Sequence, residues 1–167
     1  MTSPGTQRAA DLAAAYLRAL LARYPQYPAV ALFRCWEMAL CSELDLEGPL
    51  LDLGCGDGCI AAQLLGAGSQ VRAAGPVFGL DINAESAALA LRRPVYAGVV
   101  AADARALPFR DGSFQTVLSV CVLEHIPQVE GVLGEVARTL RAGGVFAFSV
   151  PTPRFEAVAA EAHRRDA

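Results

Sequence analysis

Through the middle of the chain, short and largely apolar runs alternate with segments of helical periodicity. Runs without a polar–apolar alternation are typical of strands in a parallel sheet, because helices cover both faces of such a sheet. The alternation therefore predicts an α/β fold with a doubly wound, mostly parallel, Rossmann-like sheet. The five runs lie at residues 49–53, 77–81, 96–100, 114–122 and 145–150.

Helical spacing fills three of the segments between these runs, at residues 60–65, 84–93 and 129–141. Apolar residues recur there every three or four positions, which places them on one face of a helix. Pro94 stops the second of these helices, and the pair of glycines at 143–144 ends the third.

The chain of 167 residues has the length of one ordinary domain with short additions. Amphipathic spacing predicts two helices before the first strand, so residues 1–47 are expected to form an N-terminal helical extension. Residues 48–151 are the predicted sheet domain. Residues 152–167 are a tail, in which 154–165 could form one further helix.

Composition and charge exclude several classes of protein. The formal net charge is −3, so the chain lacks the basic excess that is typical of nucleic-acid binding. It contains no apolar run long enough to span a membrane, and arginines interrupt its N-terminal apolar segment, so a cytoplasmic location is expected. The five cysteines include no CxxC pair and no histidines at zinc-like spacing, so we predict reduced thiols and no metal.

The first strand leads into a glycine loop, residues 54–58, with the sequence Gly-Cys-Gly-Asp-Gly. The loop lacks the Gly-Lys-Ser/Thr of a triphosphate site, and Cys59 replaces the third glycine of the dinucleotide fingerprint. Asp52 before the loop and Asp57 within it would repel phosphate but favour a cation. The residues suit a ligand with an ammonium and a sulfonium; Asp57 could instead stabilise the N-terminus of the next helix.

Two further acids follow the second and third strands. Asp81 stands where a carboxylate can accept hydrogen bonds from both hydroxyls of a ribose. Asp103 stands where it could accept from an exocyclic amino group. With the acids of the first strand, this set indicates a nucleoside that carries a positively charged amino-acid arm.

Four ordered segments resemble the class I S-adenosylmethionine-dependent methyltransferases, and most closely their small-molecule branch, methyltransferase type 11. The resemblance covers about residues 48–151 and makes a methyltransferase, a transferase that uses S-adenosyl-L-methionine, the expected function. The matching segments are 50–58 (LLDLGCGDG), 79–83 (GLDIN), 102–114 (ADARALPFRDGSF), and 122–126 (VLEHI) with 140–144 (LRAGG).

The resemblance implies a role for particular residues in binding the cofactor. Asp52, through the cofactor's ammonium, and the loop residues Gly54, Cys55 and Gly56 are expected to hold the methionine arm. Ser119, near the end of the fourth strand, is expected to lie against the same part of the cofactor.

The nucleoside end of the cofactor is assigned in the same way. Asp81 is expected to take the ribose hydroxyls, and Ile82 to pack on the adenine. Asp103 is expected to accept from the adenine amino group, and the backbone N–H of Ala104 to donate to the ring.

The reaction implied is direct in-line methyl transfer, with a small molecule as the expected acceptor. His125 could act as a base that removes a proton from the acceptor, or could serve a structural role in its turn. Residues 119–122 replace the Asn/Asp-Pro-Pro-Tyr/Phe segment of enzymes that methylate base amino groups. With the acidic charge balance, this disfavours DNA or RNA as the acceptor.

Two alternatives remain open at this stage. A nicotinamide-dependent oxidoreductase would use Asp81 for its ribose, but leaves Asp52 and Asp57 unexplained. The second alternative is a cofactor-binding module that is inactive without a partner or a further segment. It is suggested by the family's sheet, which has seven strands, whereas only five are predicted here. The fifth run, 145–150, would then be an uncharged edge strand, for which we expect self-association or low solubility.

Overall fold

The computed structural model describes residues 4–66 and 74–152. The chain divides into two compact units, one containing the two N-terminal helices and the other being Leu46–Val150. The tail helix predicted at 154–165 lies outside the described residues.

The N-terminal unit contains the two predicted helices, α1 (Pro4–Arg23) and α2 (Pro28–Cys41), which pack against each other. Pro28 begins α2, where the absence of a proline N–H costs no hydrogen bond. Glu37 is buried in α2, and its carboxylate accepts a hydrogen bond of 2.8 Å from Arg34 one turn earlier. No helix among the described residues is both long and apolar enough to cross a bilayer.

The second unit is a sheet of five parallel strands flanked by helices, which confirms the predicted α/β architecture. The strand order is β3-β2-β1-β4-β5. The strands are β1 (Leu50–Leu53), β2 (Val77–Asp81), β3 (Gly98–Ala101), β4 (Phe114–Val120) and β5 (Leu140–Ser149). The helices are α3 (Cys59–Leu65), α4 (Ala84–Ala90) and α5 (Val129–Thr139), with a short 3₁₀ helix at Leu123–His125.

The strand order places a change of direction beside β1. The chain moves outward from β1 through β2 to β3, and then returns to β4 and β5 on the other side of β1. Ligands of such sheets bind beyond the carboxyl ends of the strands at this reversal. The core beneath it is formed by Leu51, Leu53, Leu80, Val117, Val132 and Val136.

The end of α5 differs from the sequence prediction. The helix stops at Thr139 rather than at residue 141, because Leu140 has an extended backbone (φ −72°, ψ 142°) and already belongs to β5. Leu140 pairs with Phe114, and Val145 pairs with Thr116, so the intervening residues form an irregular bulge in β5. Gly143, at φ +76°, permits this bulge. The sequence pattern predicts instead that the glycines at 143–144 end the helix.

Candidate functional site

The glycine loop turns sharply at the carboxyl end of β1 and is anchored to β2. The backbone N–H groups of Gly54 and Cys55 both donate to the carbonyl oxygen of Leu80, at 2.7 and 2.9 Å. Gly54 has φ +78°, and a Cβ atom there would lie 2.4 Å from Cγ2 of Val122. Glycine is therefore required at this position both by its backbone conformation and by the close approach of Val122.

Asp81 lies beside this loop at the end of β2, with its carboxylate fixed by two backbone donors. Oδ2 accepts from the N–H of Gly56 at 2.8 Å, and Oδ1 accepts from the N–H of Asn83 at 2.9 Å. Each carboxylate oxygen can accept a second hydrogen bond. The side chain is thus oriented in advance and retains acceptor capacity for a pair of hydroxyl groups.

Asp103 and Arg105 follow β3 as an exposed ion pair. The Arg105 guanidinium donates to both carboxylate oxygens, with Nη2 at 2.6 Å from Oδ2, and the Arg105 N–H donates to Oδ1 at 2.8 Å. These hydrogen bonds lower the pKa of Asp103 to about 2. Arg105 is not among the predicted site residues, although a cation two residues after Asp103 could have indicated this ion pair.

A cleft of about 200 Å³ joins these groups at the carboxyl edge of the sheet. Much of its lining is apolar, from Leu80, Ala102, Val122, Ile126 and Pro127. The structure brings six predicted site residues and Arg105 together there. The six are Gly54, Asp81, Ile82, Asp103, Ala104 and His125.

Ile82 and Ala104 occupy different environments in the cleft. The Ile82 residue is 74% exposed, an unusual position for a large apolar side chain and one that a flat ligand could cover. Ala104 is buried.

Asp52, by contrast, lies in β1 behind the glycine loop and is not among the residues that line the cleft. It is 7% exposed, and its Oδ2 accepts a hydrogen bond of 2.5 Å from the hydroxyl of Tyr96. Burial raises the pKa of Asp52 to about 6; the hydrogen bond from Tyr96 opposes this shift, and the charge of Asp81 adds to it. The apolar run at 96–100 predicts a strand that includes Tyr96, whereas β3 begins at Gly98, and the run carries no signal for this contact.

Cys55, Gly56 and Ser119 also lie outside the cleft lining as described. The Cys55 thiol is buried, which raises its pKa, and its Sγ lies 3.6 Å from the carbonyl oxygen of Gly56. Ser119 is fully buried, and its hydroxyl donates to the carbonyl oxygen of Leu53 at 3.1 Å. Ser119 therefore ties β4 to β1 just before the loop; its contact with a cofactor stays a prediction.

Asp57 adopts the geometry of the helix-stabilising alternative. Its Oδ1 accepts from the N–H of Cys59 at the start of α3, at 3.1 Å. Arg93 donates from Nε to the Asp57 carbonyl oxygen at 2.8 Å, and its Nη2 lies 3.4 Å from Oδ2. These contacts hold the far side of the loop against the segment that follows α4.

His125 ends the 3₁₀ helix after β4 and lines the cleft with a side chain that is 78% exposed. Its Nε2 lies 3.8 Å from Oε1 of Glu124. The imidazole is accessible to a molecule entering the cleft, but its catalytic role stays a prediction. Within the described residues, no group of three His, Cys, Asp or Glu side chains is placed to hold a metal ion.

The reversal of strand order, the glycine loop and the oriented Asp81 are the features expected of a methyltransferase domain of the class that uses S-adenosylmethionine. Comparison with known families matches residues 51–148 to the family described as "Methyltransferase domain". The chain belongs to this family, as its sequence motifs predicted. Nothing in these comparisons supports the nicotinamide-dependent alternative.

Individual relatives agree with this assignment. The chain is 36% identical to a fatty-acid O-methyltransferase of Mycolicibacterium smegmatis over 69% of its own length and 42% of that relative. It is 32% identical to a ubiquinone biosynthesis O-methyltransferase of Burkholderia vietnamiensis, over 59% of this chain and 42% of the relative. The chain thus spans less than half the length of these curated relatives.

A solved structure of an S-adenosylmethionine-dependent methyltransferase from Mesorhizobium loti has the same fold. The two chains are 29% identical, with a TM-score of 0.57. The similarity covers 72% of this chain and 54% of the other.

Proposed function

We propose that this protein transfers a methyl group from S-adenosylmethionine to a small-molecule acceptor. The observation that carries the proposal is Asp81, whose carboxylate is oriented by two backbone N–H groups at the wall of a largely apolar cleft. A nucleoside needs this combination, because its ribose hydroxyls require acceptors and its base requires an apolar surface.

In this proposal the described residues would hold the cofactor at both ends. At the nucleoside end, Asp81 would accept the ribose hydroxyls, Ile82 would cover the adenine, and Asp103 with the Ala104 N–H would bind its edge. At the methionine end, Gly54 presents bare backbone to the cleft, and the buried charge of Asp52 lies behind it. When bound, S-adenosylmethionine supplies a methyl group that its sulfonium has already activated.

The remaining task of the protein is then to place an acceptor and to exclude water. The apolar lining contributed by Val122, Ile126 and Pro127 supports both roles. His125 is the candidate to take a proton from the acceptor, since its exposed imidazole lines the same cleft. His125→Ala should lower kcat while leaving the Kd for cofactor nearly unchanged, if this assignment is correct.

We infer an oxygen nucleophile for the acceptor, because the two curated relatives described above are named as O-methyltransferases. Incubation with radiolabelled donor and a panel of fatty acids and phenols would test this. Labelling of added RNA or DNA alone would contradict a small-molecule acceptor. Cofactor binding without turnover of any acceptor would support the alternative of a module that needs a partner or a further segment.

Calorimetric titration with S-adenosylhomocysteine tests the cofactor assignment directly. Asp81→Ala should weaken binding roughly 100-fold, because two hydrogen bonds to a charged acceptor are lost. Asp81→Asn should have an intermediate effect. Asp45→Ala, which removes an exposed acid from the N-terminal unit, is the matched control and should bind as the wild type does. Equal binding by Asp81→Ala would refute the ribose assignment.

We also propose self-association through β5, which lies at the edge of the described sheet. The carbonyl oxygen of Ser149 accepts from Cys121 of the β4 side, so alternate residues, Ala147 included, direct their backbone groups inward. The backbone groups of Phe146 and Phe148 therefore face outward.

The cytoplasmic location expected from the sequence stays a prediction.

Sedimentation velocity over a wide concentration range tests the edge. Phe148→Pro should abolish association because it removes an outward N–H, whereas Phe148→Ala should retain part of it. A monomeric wild type at every concentration would contradict the proposal.

A further inference from the structure

Tyr96 reaches the interior of the site through a gap that two glycines leave open. A Cβ atom at Gly58 would lie 2.7 Å from Cε2 of the Tyr96 ring, and one at Gly79 would lie 3.2 Å from Cε1. Gly58 belongs to the loop and Gly79 to β2, so the absence of a side chain in two separate elements leaves space for one aromatic ring. The ring is buried, and its hydroxyl meets the carboxylate of Asp52 at 2.5 Å.

The charged and titratable groups around Asp52 make this contact consequential. Asp81 from β2 repels the Asp52 carboxylate, and the buried Cys55 thiol of the loop supplies no positive charge to offset this. The positive charge of Arg93 opposes the upward shift in the pKa of Tyr96, and the Arg93 guanidinium pairs with Asp57. On the β4 side stands Ser119, whose hydroxyl donates to a backbone carbonyl rather than to Asp52.

We propose that Tyr96 is a positioning residue for the cofactor: its hydroxyl holds the buried Asp52 carboxylate in one orientation and in its ionised form behind the glycine loop. Tyr96 would then influence ligand binding without lining the cleft. This inference rests on the proposed cofactor site. A tyrosine with a merely structural role would be replaced by phenylalanine without any change in the charge of Asp52.

The protonation of Asp52 can be measured in the protein without ligand. Burial raises the pKa of Asp52 to about 6, and the hydrogen bond from Tyr96 is the interaction that lowers it. Carbon-13 NMR of labelled aspartate, with Asp52→Asn to assign the signal, should show a midpoint near 6 in the wild type. In Tyr96→Phe the midpoint should rise by roughly one pH unit.

Cofactor binding gives the second readout. Calorimetry with S-adenosylmethionine from pH 5.5 to 8.5 should show affinity falling as the pH drops through about 6 in the wild type. In Tyr96→Phe this fall should begin at higher pH, with affinity at pH 7 reduced by a factor of roughly three to ten. Asp52→Asn should remove the pH dependence, and adding Tyr96→Phe to it should cause no further loss.

Tyr24→Phe, in the N-terminal unit, is the matched control and should leave both readouts unchanged. Wild-type affinity and an unchanged carboxyl midpoint in Tyr96→Phe would overturn the inference. If Tyr96→Phe does not fold, the comparison of the wild type with Asp52→Asn still tests the inference. The same pH dependence of cofactor affinity in these two proteins would overturn it. Failure of the wild type to bind S-adenosylmethionine would instead contradict the proposed function, and the NMR midpoints would still decide whether the Tyr96 hydroxyl stabilises the ionised form of Asp52.

Discussion

Asp52, within β1, and Asp103, which follows β3 and lines the cleft, illustrate two electrostatic environments for a carboxylate. Asp52 is buried behind the glycine loop, where loss of water raises its pKa to about 6. Asp103 is exposed at the cleft, where Arg105 lowers its pKa to about 2. The buried side depends on close packing and on a single hydroxyl, whereas the exposed side has a partner cation and surrounding water. Substitutions should therefore have large effects at the buried residues and small effects at the exposed pair.

A comparison of two glycines should show the largest difference. Gly54, in the loop that follows Asp52, and Gly112, in the turn before β4, both have positive φ, at +78° and +60°. An added Cβ meets Val122 at 2.4 Å in the first case and nothing within 4 Å in the second. Gly54→Ala should lower the free energy of unfolding by about 3 kcal/mol or more and abolish cofactor binding.

Gly112→Ala should cost about 1 kcal/mol, the penalty of the backbone conformation alone. Urea unfolding of both variants measures the difference. Equal losses would show that the approach of Val122 adds nothing to the backbone penalty.

The second effect concerns the energetic cost of the Asp52 charge. Since its pKa is raised from 3.8 to about 6, the folded chain binds a proton more tightly than the unfolded chain between these values. The contribution of Asp52 to the free energy of unfolding therefore falls as the pH rises from 3.8 to about 6. Asp52→Asn should be more stable than the wild type at pH 7, by up to about 3 kcal/mol, while binding the cofactor less tightly.

Unfolding midpoints of the two proteins between pH 4 and 8 test this expectation. Their difference should grow up to about pH 6 and then level off. A wild type that is more stable than Asp52→Asn at pH 7 would mean that the carboxylate is stabilised by more than its contact with Tyr96.

The smallest effect is expected on the exposed side. Arg105→Ala should return the pKa of Asp103 from about 2 towards 3.8, so the carboxylate stays ionised above pH 5. The unfolding midpoint should hardly move, because the pair is exposed to solvent. Calorimetry at pH 7 should find cofactor affinity within a factor of about three of the wild type. A much larger loss would assign Arg105 a direct contact with the ligand.

The sequence was sufficient to predict the parts of this molecule that depend on local pattern. The parallel sheet followed from apolar runs, and the placement of Asp81 and Asp103 at one edge followed from the ends of those runs. The glycine loop was predicted from its residue types to follow the first strand, and it does so, between β1 and α3. These features need only the residue types and their order along the chain.

Contacts between distant positions were missed. Tyr96 and Asp52 are 44 residues apart, and their hydrogen bond depends on the register that sets Asp52 beside Gly79. Nothing in the run around Tyr96 distinguishes it from an ordinary strand residue. The early start of β5 was missed for a similar reason, because the pairing of Leu140 with Phe114 overrides the helical pattern before it.

The passage of Tyr96 between two glycines also has an evolutionary consequence. Alanine at Gly79 would bring its Cβ to 2.9 Å from Sγ of Cys55, 3.2 Å from the Tyr96 ring and 3.2 Å from Cγ2 of Val99, and Gly79 does not need a positive φ. A larger residue at position 79 therefore becomes acceptable only when these neighbours are smaller. The four positions should show epistasis: among relatives, a side chain at 79 should accompany smaller residues at 55, 96 and 99.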